Sequence, residues 1–411
     1  MILFFLTSGL FLGWSLGAND ASNIFGSAVG SKMVTFRRAA IIASVFVIVG
    51  AVLQGAGGAQ TLGKLGAVNA IGGSFTLSLA AAVTVYLMTK FSLPVSTTQA
   101  IVGAIIGWNL FTGNRTDAGT LSKIVATWIS GPVLGAIFGV LLFTSITAIK
   151  KVSRIHIIRF ESYIKTGLLL AGALGAYSLG ANNIANVMGV FVPAVALEPL
   201  IIGPFSLSSA QQLFLLGGLA IATGIITYSK KVMQTVGANI VELSSEAAMV
   251  VVLSQSIVLF IFSSSWLSEL LAGVGLPAIP LVPVSSSQVI VGSVIGIGLY
   301  KGVRNINFRL LGQIAAGWIA TPVLSGLFTY FSLFFMKNLF MIDVGHRIEE
   351  GLSDSSSATM VPDPETSEMI RYIFLIILSI SVIAGIYVLL LQKKRDKELK
   401  ASEEKFWKNM K

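Results

Sequence analysis

Two short asparagine-rich stretches lie inside otherwise apolar parts of the chain. They read WSLGANDASN at residues 14–23 and YSLGANNIAN at residues 177–186. On a helix, residues three and four apart share a face, so Asp20 and Asn23 would lie side by side. Such oxygen-bearing side chains, together with carbonyls freed near a glycine, suit a hard monovalent cation such as sodium. The predicted cation ligands are Asp20, Asn23, Asn182, Asn183 and Asn186.

A purely structural role is the alternative for these stretches, because asparagine side chains also join helices by hydrogen bonds in membrane interfaces. An aspartate in an apolar segment is costly and usually functional, which favours a binding role. The second stretch has Asn183 where the first has Asp20, so any fixed charge at this position is asymmetric.

Two further stretches, PVSTTQ at 94–99 and PVSSSQ at 283–288, predict helix N-termini. Proline disfavours helix in the preceding residue, so the hydroxyl side chains would occupy the cap and first turn of a new helix. Free backbone N–H groups and the positive end of the helix dipole favour an anion there. Ordinary N-capping explains one copy equally well, but duplication favours a binding site. The predicted anion ligands are Ser96, Thr97, Thr98, Gln99, Ser285, Ser286, Ser287 and Gln288.

One more carboxylate, Glu246, enters the apolar run AAMVVVL and is predicted as a cation or proton ligand, with a solvated residue as the equal alternative. Glu242, one helical turn earlier, is interpreted as solvated. Two tryptophan–proline pairs, Trp128 with Pro132 and Trp318 with Pro322, are interpreted as packing and kink elements.

The composition indicates a membrane protein. Of 411 residues, 54% are hydrophobic and 11% are charged, whereas soluble domains contain about 25% charged residues. Cysteine is absent, which excludes disulfides and thiolate chemistry, and no acid–base constellation indicates an enzyme. Apolar runs of the length that crosses a bilayer as helix lie near 2–18, 39–57, 74–89, 124–149, 166–181, 210–228, 247–263, 310–336 and 372–391.

The distribution of basic residues predicts the orientation of the chain in the plasma or inner membrane. Cytoplasmic loops carry an excess of Lys and Arg, which predicts an outside N-terminus and a cytoplasmic C-terminus. The acidic loop is placed outside, and the basic tail would contact anionic lipid. The basic clusters lie at 32–38, 150–165, 230–231, 301–309 and beyond 392.

The motifs recur in one order along the chain, which indicates an internal repeat. The loop after the first asparagine motif, 32–38, is basic, whereas the loop after the second, 193–209, has no Lys or Arg. The two copies therefore point in opposite directions, as in secondary transporters with a site near the midplane. We predict an all-α polytopic membrane protein with two inverted-topology repeats, re-entrant or broken helical hairpins, and about 12 transmembrane segments. The predicted parts are a first repeat at 1–149, a basic linker at 150–162, a second repeat at 163–336, an acidic loop at 337–369, and a final transmembrane helix with a basic tail at 370–411.

GAND at 17–20 and GANN at 180–183, followed in turn by PVSTT and PVSSS, resemble the inorganic phosphate transporter (PiT) family. The resemblance extends through residue 336. It implies a symporter that moves inorganic phosphate with sodium, or in some bacterial members with protons and as a metal–phosphate complex. It also implies that the hydroxyl side chains of the hairpin tips hold phosphate, and that Asp20 and the asparagines help to hold sodium. No resident cofactor or nucleic-acid partner is implied.

The chain departs from the family pattern at three kinds of position, one of which, Ser286 and Ser287 in place of threonines, is a small chemical change. Many members have histidine where this chain has Gln99 and Gln288, and the loss of a proton acceptor favours sodium. Many animal members have glutamate near the position of Val47, so the cation stoichiometry stays open. The alternatives are a proton-coupled (metal-)phosphate symporter and a sulfate permease on the same scaffold. A homodimer is allowed by the sequence and not required by it.

Overall fold

Helices form nearly all of the regular structure in the computed structural model of the protein. The structure describes residues 2–30, 32–90, 95–153, 157–202, 205–230, 233, 244–302 and 308–346. The predictions for Pro94, Glu242, the end of the acidic loop and the final helix with its tail lie outside these residues. The helices are α1 (Ile2–Gly30), α2 (Phe36–Gln54), α3 (Ala56–Leu65), α4 (Ile71–Lys90), α5 (Thr97–Thr112), α6 (Ala118–Ser153), α7 (Ile157–Met188), α8 (Ser209–Thr227), α9 (Ser245–Ser263), α10 (Ser265–Gly273), α11 (Ser286–Tyr300) and α12 (Phe308–Asn338).

Eight of the described helices are long and apolar enough to cross a membrane, and they coincide with the first eight apolar runs of the sequence. The chain is therefore an all-α polytopic membrane protein. Helix α5 has 16 residues and α11 has 15, so each is roughly 23 Å long and shorter than a hydrocarbon core of about 30 Å. Helix α4, which contains the apolar run at 74–89, has 20 residues and is long enough to cross.

The loops hold small additional elements. A 3₁₀ turn, Gly189–Phe191, follows α7, and β1 (Leu200–Ile202) pairs antiparallel with β2 (Phe205–Leu207) before α8. Helix α10 is a short helix between α9 and the turn that begins α11.

Local signals fix several helix ends. The side chain of Ser208 accepts from the Gln211 N–H and the Gln211 side chain accepts from the Ser208 N–H, a capping box that begins α8. Gly113 ends α5 with a φ of 74°, a conformation that glycine adopts without strain. At the start of α6, Asp117 Oδ2 accepts from Thr120 N at 2.6 Å. Hydrogen bonds from the Thr120 side chain and backbone lower the pKa of the Asp117 carboxyl.

Helices of one sequence copy pack mainly against helices of the other. Helix α1 packs along α8, α2 along α7, α5 along α12 and α6 along α11. A Cβ on Gly103 would lie 2.1 Å from the carbonyl oxygen of Pro322, and one on Gly292 would lie 2.0 Å from that of Pro132. These two contacts join equivalent positions of the repeated motifs. Small residues thus allow close backbone approach, and both prolines lie inside packed helices.

Segments that the charge pattern assigns to one side of the membrane contact one another. Asn69 Nδ2 and Asn114 Nδ2 both donate to the carbonyl oxygen of His346, at 3.2 and 3.3 Å, and His346 lies in the acidic loop predicted outside, so the loops before α4 and after α5 lie on the side of that loop. On the basic side, Lys301 Nζ lies 4.6 Å from the centre of the Phe143 ring. These contacts agree with the predicted sidedness, while the orientation of the termini stays a prediction.

Candidate functional site

The two hydroxyl-rich stretches begin helices α5 and α11. The Ser96 side chain accepts a hydrogen bond from Gln99 N at 3.3 Å, and Ser285 accepts one from Gln288 N at 3.4 Å. Both serines have extended backbone conformations, as N-cap residues do. The following hydroxyls therefore lie in the first turn of each helix, next to N–H groups that no helical carbonyl can pair.

The two helix N-termini meet inside the protein. Ser287 Oγ donates to the backbone carbonyl oxygen of Val95 at 3.2 Å, although 192 positions separate the residues. Ser285 Oγ and Ser287 Oγ lie 3.1 Å apart. The positive ends of two helix dipoles consequently point into one region, which favours an anion.

Helix α1 adds a carboxylate to this region. Asp20 Oδ2 accepts from Ser286 Oγ at 3.1 Å, and Asp20 Oδ1 accepts from Asn19 Nδ2 at 3.3 Å. Asp20 is 2% exposed, and of the Asp, Glu, Lys and Arg side chains that the structure describes it is the one that is buried. The site therefore has no buried lysine or arginine among those side chains to neutralise an anion.

Helix α7 contacts both turns. Asn182 Nδ2 donates to Val284 O at 2.7 Å and Asn182 Oδ1 accepts from Val284 N at 2.9 Å, so its amide fixes the backbone before α11. Asn186 Nδ2 lies 3.0 Å from Thr98 Oγ1 and 3.0 Å from Asn183 Oδ1. The three asparagines of the second motif thus join the two helix N-termini.

Several buried polar atoms of this region have no hydrogen-bond partner among the described residues. An unpaired buried donor or acceptor costs about 1–3 kcal/mol, so a concentration of them in one place is typical of a ligand site. All belong to residues that the sequence singled out. They are Thr97 Oγ1, Gln99 Oε1, Asn183 Nδ2, Asn186 Oδ1 and Gln288 Oε1.

The two halves of the site are unequal. In the sequence repeat, Asp20 of the first copy corresponds to Asn183 of the second, and Ser286 of the second copy corresponds to Thr97 of the first. Asp20 and Ser286 are hydrogen-bonded, whereas Asn183 Nδ2 and Thr97 Oγ1 have no partner among the described residues. Within the described residues, the α5 turn therefore offers two unpartnered polar atoms, Thr97 Oγ1 and Gln99 Oε1, and the α11 turn offers one, Gln288 Oε1.

The backbone before the two turns is also held differently in the two halves. Asn182 pairs with Val284 through both atoms of its amide. Its counterpart Asn19 donates to Asp20 instead, and the carbonyl of Val95 accepts from Ser287. Asn19 was not among the predicted ligands, although its repeat partner Asn182 was, and comparison of the two copies is the signal that could have identified it.

Two predicted cation ligands, Asn23 and Glu246, are less buried than the others. Asn23 is half-buried on α1, three residues after Asp20. Glu246 is not joined to the group: its Oε1 pairs with Lys150 Nζ, near the end of α6. Lys150 also lies 4.6 Å from the centre of the Phe160 ring. This carboxylate is thus balanced by the basic segment that follows the first copy.

Known proteins resemble the chain over most of its length. Residues 16–329 match the model of the phosphate transporter family. A protein of Thermococcus kodakarensis with the provisional name phosphate permease is 27% identical over 80% of this chain and 96% of its own length. One of Haemophilus influenzae with the same provisional name is 26% identical over 81% of this chain and 96% of its own. A solved structure described as the sodium-dependent phosphate transporter matches with a TM-score of 0.63 and 22% identity, covering 82% of this chain and 98% of that one.

Proposed function

The chain belongs to the phosphate transporter family, and from this premise we propose that it imports inorganic phosphate by symport with sodium ions. Relatives provisionally named phosphate permeases support the substrate. The solved structure of similar fold comes from a sodium-dependent phosphate transporter, which supports the coupling ion. The observation that carries the proposal is the meeting of the two hydroxyl turns beside one buried carboxylate.

Phosphate would lie between the N-termini of α5 and α11. Each terminus supplies free backbone N–H groups and about half a positive charge from its dipole. The hydroxyl groups of the two turns lie in the same region. Ser287 Oγ donates to Val95 O and Ser286 Oγ donates to Asp20 in this structure, and each would redirect its single proton to phosphate when the anion binds. The proposed phosphate ligands are Ser96, Thr97, Thr98, Gln99, Ser285, Ser286, Ser287 and Gln288.

The charge of the site supports coupling to a cation. A phosphate ion beside the Asp20 carboxylate would bring like charges together in a medium of low dielectric constant, which is strongly unfavourable without compensating cations. Two helix dipoles supply only about one positive charge together. Sodium ions bound with the anion would supply the remainder, so neither ligand would bind well without the other.

The proposed sodium ligands are oxygen atoms of Asp20, Asn23, Asn183 and Asn186, since hard cations prefer carboxylate and carbonyl oxygens. The unpartnered Oδ1 of Asn186 suits this role. We assign Asn182 to positioning, because both atoms of its amide hold Val284. Glu246, paired with Lys150, is assigned to neither ligand.

The unpartnered oxygens favour phosphate over sulfate. Gln99 Oε1 and Gln288 Oε1 can only accept hydrogen bonds. Phosphate near neutral pH still has a proton to donate, whereas sulfate has none. A sulfate permease built on this scaffold would leave these two acceptors unpaired or would need them turned away.

During alternating access, the two halves of the site would exchange their hydrogen-bonding arrangements. In this structure Asn182 holds the turn before α11, while its counterpart Asn19 does not hold the turn before α5. Because the copies are predicted to be inverted, the opposite conformation should have Asn19 paired with the Val95 backbone and Asn182 released from Val284. The site would then face the other side of the membrane.

Uptake of radiolabelled phosphate into proteoliposomes tests the proposal. We expect accumulation when a sodium gradient is directed inward, none when sodium is equal on both sides, and no inhibition by a tenfold excess of sulfate. Protein-free liposomes are the control. Accumulation driven by a proton gradient without sodium would overturn the sodium coupling, and equal inhibition by sulfate would overturn the substrate.

A further inference from the structure

A crevice of about 200 Å³ opens between α1, α4 and α8, next to Asn19. Its polar lining includes Asn19, Tyr86, Lys90 and Tyr228, and Trp14 forms part of its wall. Asn19 borders the proposed transport site through its hydrogen bond to Asp20, and the other three polar side chains take no part in that site. The crevice is open on one side, since Tyr86 is 45% exposed and Tyr228 is 47% exposed.

The crevice lies where two transmembrane helices end. Lys90 follows the candidate span Ile71–Met88, and Tyr228 follows the candidate span Ser209–Thr227. Trp and Tyr are enriched at the boundary between the hydrocarbon core and the headgroups, and lysine extends its ammonium group to that depth. The exposed mouth of the crevice therefore faces lipid headgroups on the side that the basic residues predict as cytoplasmic.

The lining combines hydrogen-bond donors with an aromatic wall. Trp14 Nε1 donates a hydrogen bond to Thr227 Oγ1 at 3.0 Å, and the centre of the Trp14 ring lies 5.5 Å from that of Tyr228. The Asn19 amide uses one N–H for Asp20 and has a second to offer. Lys90 supplies the positive charge, and the hydroxyls of Tyr86 and Tyr228 supply further donors.

We propose that this crevice binds the phosphate group of an anionic phospholipid. A lysine with neutral donors around it binds a phosphate diester, and it favours a headgroup of net negative charge, because the quaternary ammonium of a zwitterionic headgroup would lie near the Lys90 ammonium. The Trp14–Tyr228 wall packs against the glycerol and first acyl carbons. A free phosphate ion would leave that wall without contact, so the lipid is the better-fitting occupant. The proposal does not depend on what the protein transports.

Thermal unfolding of the purified full-length protein in non-ionic detergent tests the lipid site. Short-chain phosphatidylglycerol, phosphatidylcholine with the same chains, and inorganic phosphate are added separately, in potassium buffer without sodium so that the transport site contributes little. We expect phosphatidylglycerol to raise the unfolding temperature, and the other two additives to leave it nearly unchanged. Equal effects of the two lipids, or an effect of inorganic phosphate as large as that of phosphatidylglycerol, would overturn the proposal.

Two variants and a control locate the effect. Lys90→Gln should raise the phosphatidylglycerol concentration for half-maximal stabilisation at least tenfold, whereas Lys64→Gln, which removes an exposed lysine of α3 outside the crevice, should match the wild type. Tyr86→Phe keeps the ring and should raise the phosphatidylglycerol concentration for half-maximal stabilisation by a smaller factor. This variant provides a second measurement if Lys90→Gln folds poorly. Identical titrations for wild type and both crevice variants would contradict the assignment.

Discussion

Ser286 donates a hydrogen bond from Oγ to Oδ2 of Asp20 over 3.1 Å, although 266 positions separate the two residues in the chain. One partner belongs to the hydroxyl turn proposed for the anion and the other is the carboxylate proposed for the cation. The two binding sites therefore share a boundary. Any ligand that changes the position or charge of Asp20 must also change the turn that begins α11, and this reciprocity is what a symporter requires.

Asp20→Asn should weaken the dependence of uptake on sodium. The substitution keeps the shape of the side chain and removes the buried charge, so the sodium concentration for half-maximal uptake should rise by about tenfold or more, equivalent to about 1.4 kcal/mol. Preference for phosphate over sulfate should persist. Asp117→Asn, at the exposed start of α6, is the matched control. An unaltered sodium response in Asp20→Asn would exclude the carboxylate from cation binding.

Thr97→Ala should raise the phosphate concentration needed for half-maximal uptake. Thr97 Oγ1 is buried without a partner among the described residues, and a hydrogen bond to a charged ligand is worth about 1.5–3 kcal/mol, or roughly 10- to 100-fold in affinity. Thr97→Ser retains the hydroxyl and should stay near the wild type. If Ala and Ser variants had the same half-saturation constant, the hydroxyl would have no part in binding.

Gly292→Ala should destabilise the packing of α11 against α6. The added Cβ would meet the Pro132 carbonyl oxygen at 2.0 Å, and backbone cannot move aside as a side chain can. Overpacking of this kind costs about 1–3 kcal/mol, which should lower the unfolding temperature in detergent by several degrees. Gly298→Ala, on the same helix with nothing within 4 Å of the added atom, should leave it unchanged. Equal stability of both variants would refute this close approach.

Disulfide trapping should separate the two conformations. The chain has no cysteine, so pairs can be introduced without a background. Asn182→Cys with Val284→Cys should crosslink in the conformation described here, and Asn19→Cys with Val95→Cys in the opposite one. In a variant with all four cysteines, mass spectrometry should find one disulfide or the other in each molecule. Both disulfides together in one molecule would contradict the exchange of halves.

The sequence predicted well whatever depends on local chemistry. A proline followed by hydroxyl residues favours a helix N-cap, so the starts of α5 and α11 could be predicted from six residues each. The repeat order also indicated that two turns far apart in sequence would meet.

What the sequence could not predict were the choices between near-equivalent partners. Asn19 and Asn182 occupy matching positions in the repeat, and nothing in their neighbours tells which one holds a backbone turn in a given conformation. The partner of Glu246 is Lys150, 96 positions away, and such a pairing depends on how α6 and α9 pack. Tertiary packing therefore decides the roles that residue type leaves open.

The most direct test of the account is an experimental density map of the protein in sodium and phosphate at a resolution that separates side chains. We expect tetrahedral density within hydrogen-bonding distance of the Thr97 and Ser286 hydroxyls, and a separate cation peak against the Asp20 carboxylate. Phosphate density elsewhere, with the turns before α5 and α11 apart from each other, would contradict the account.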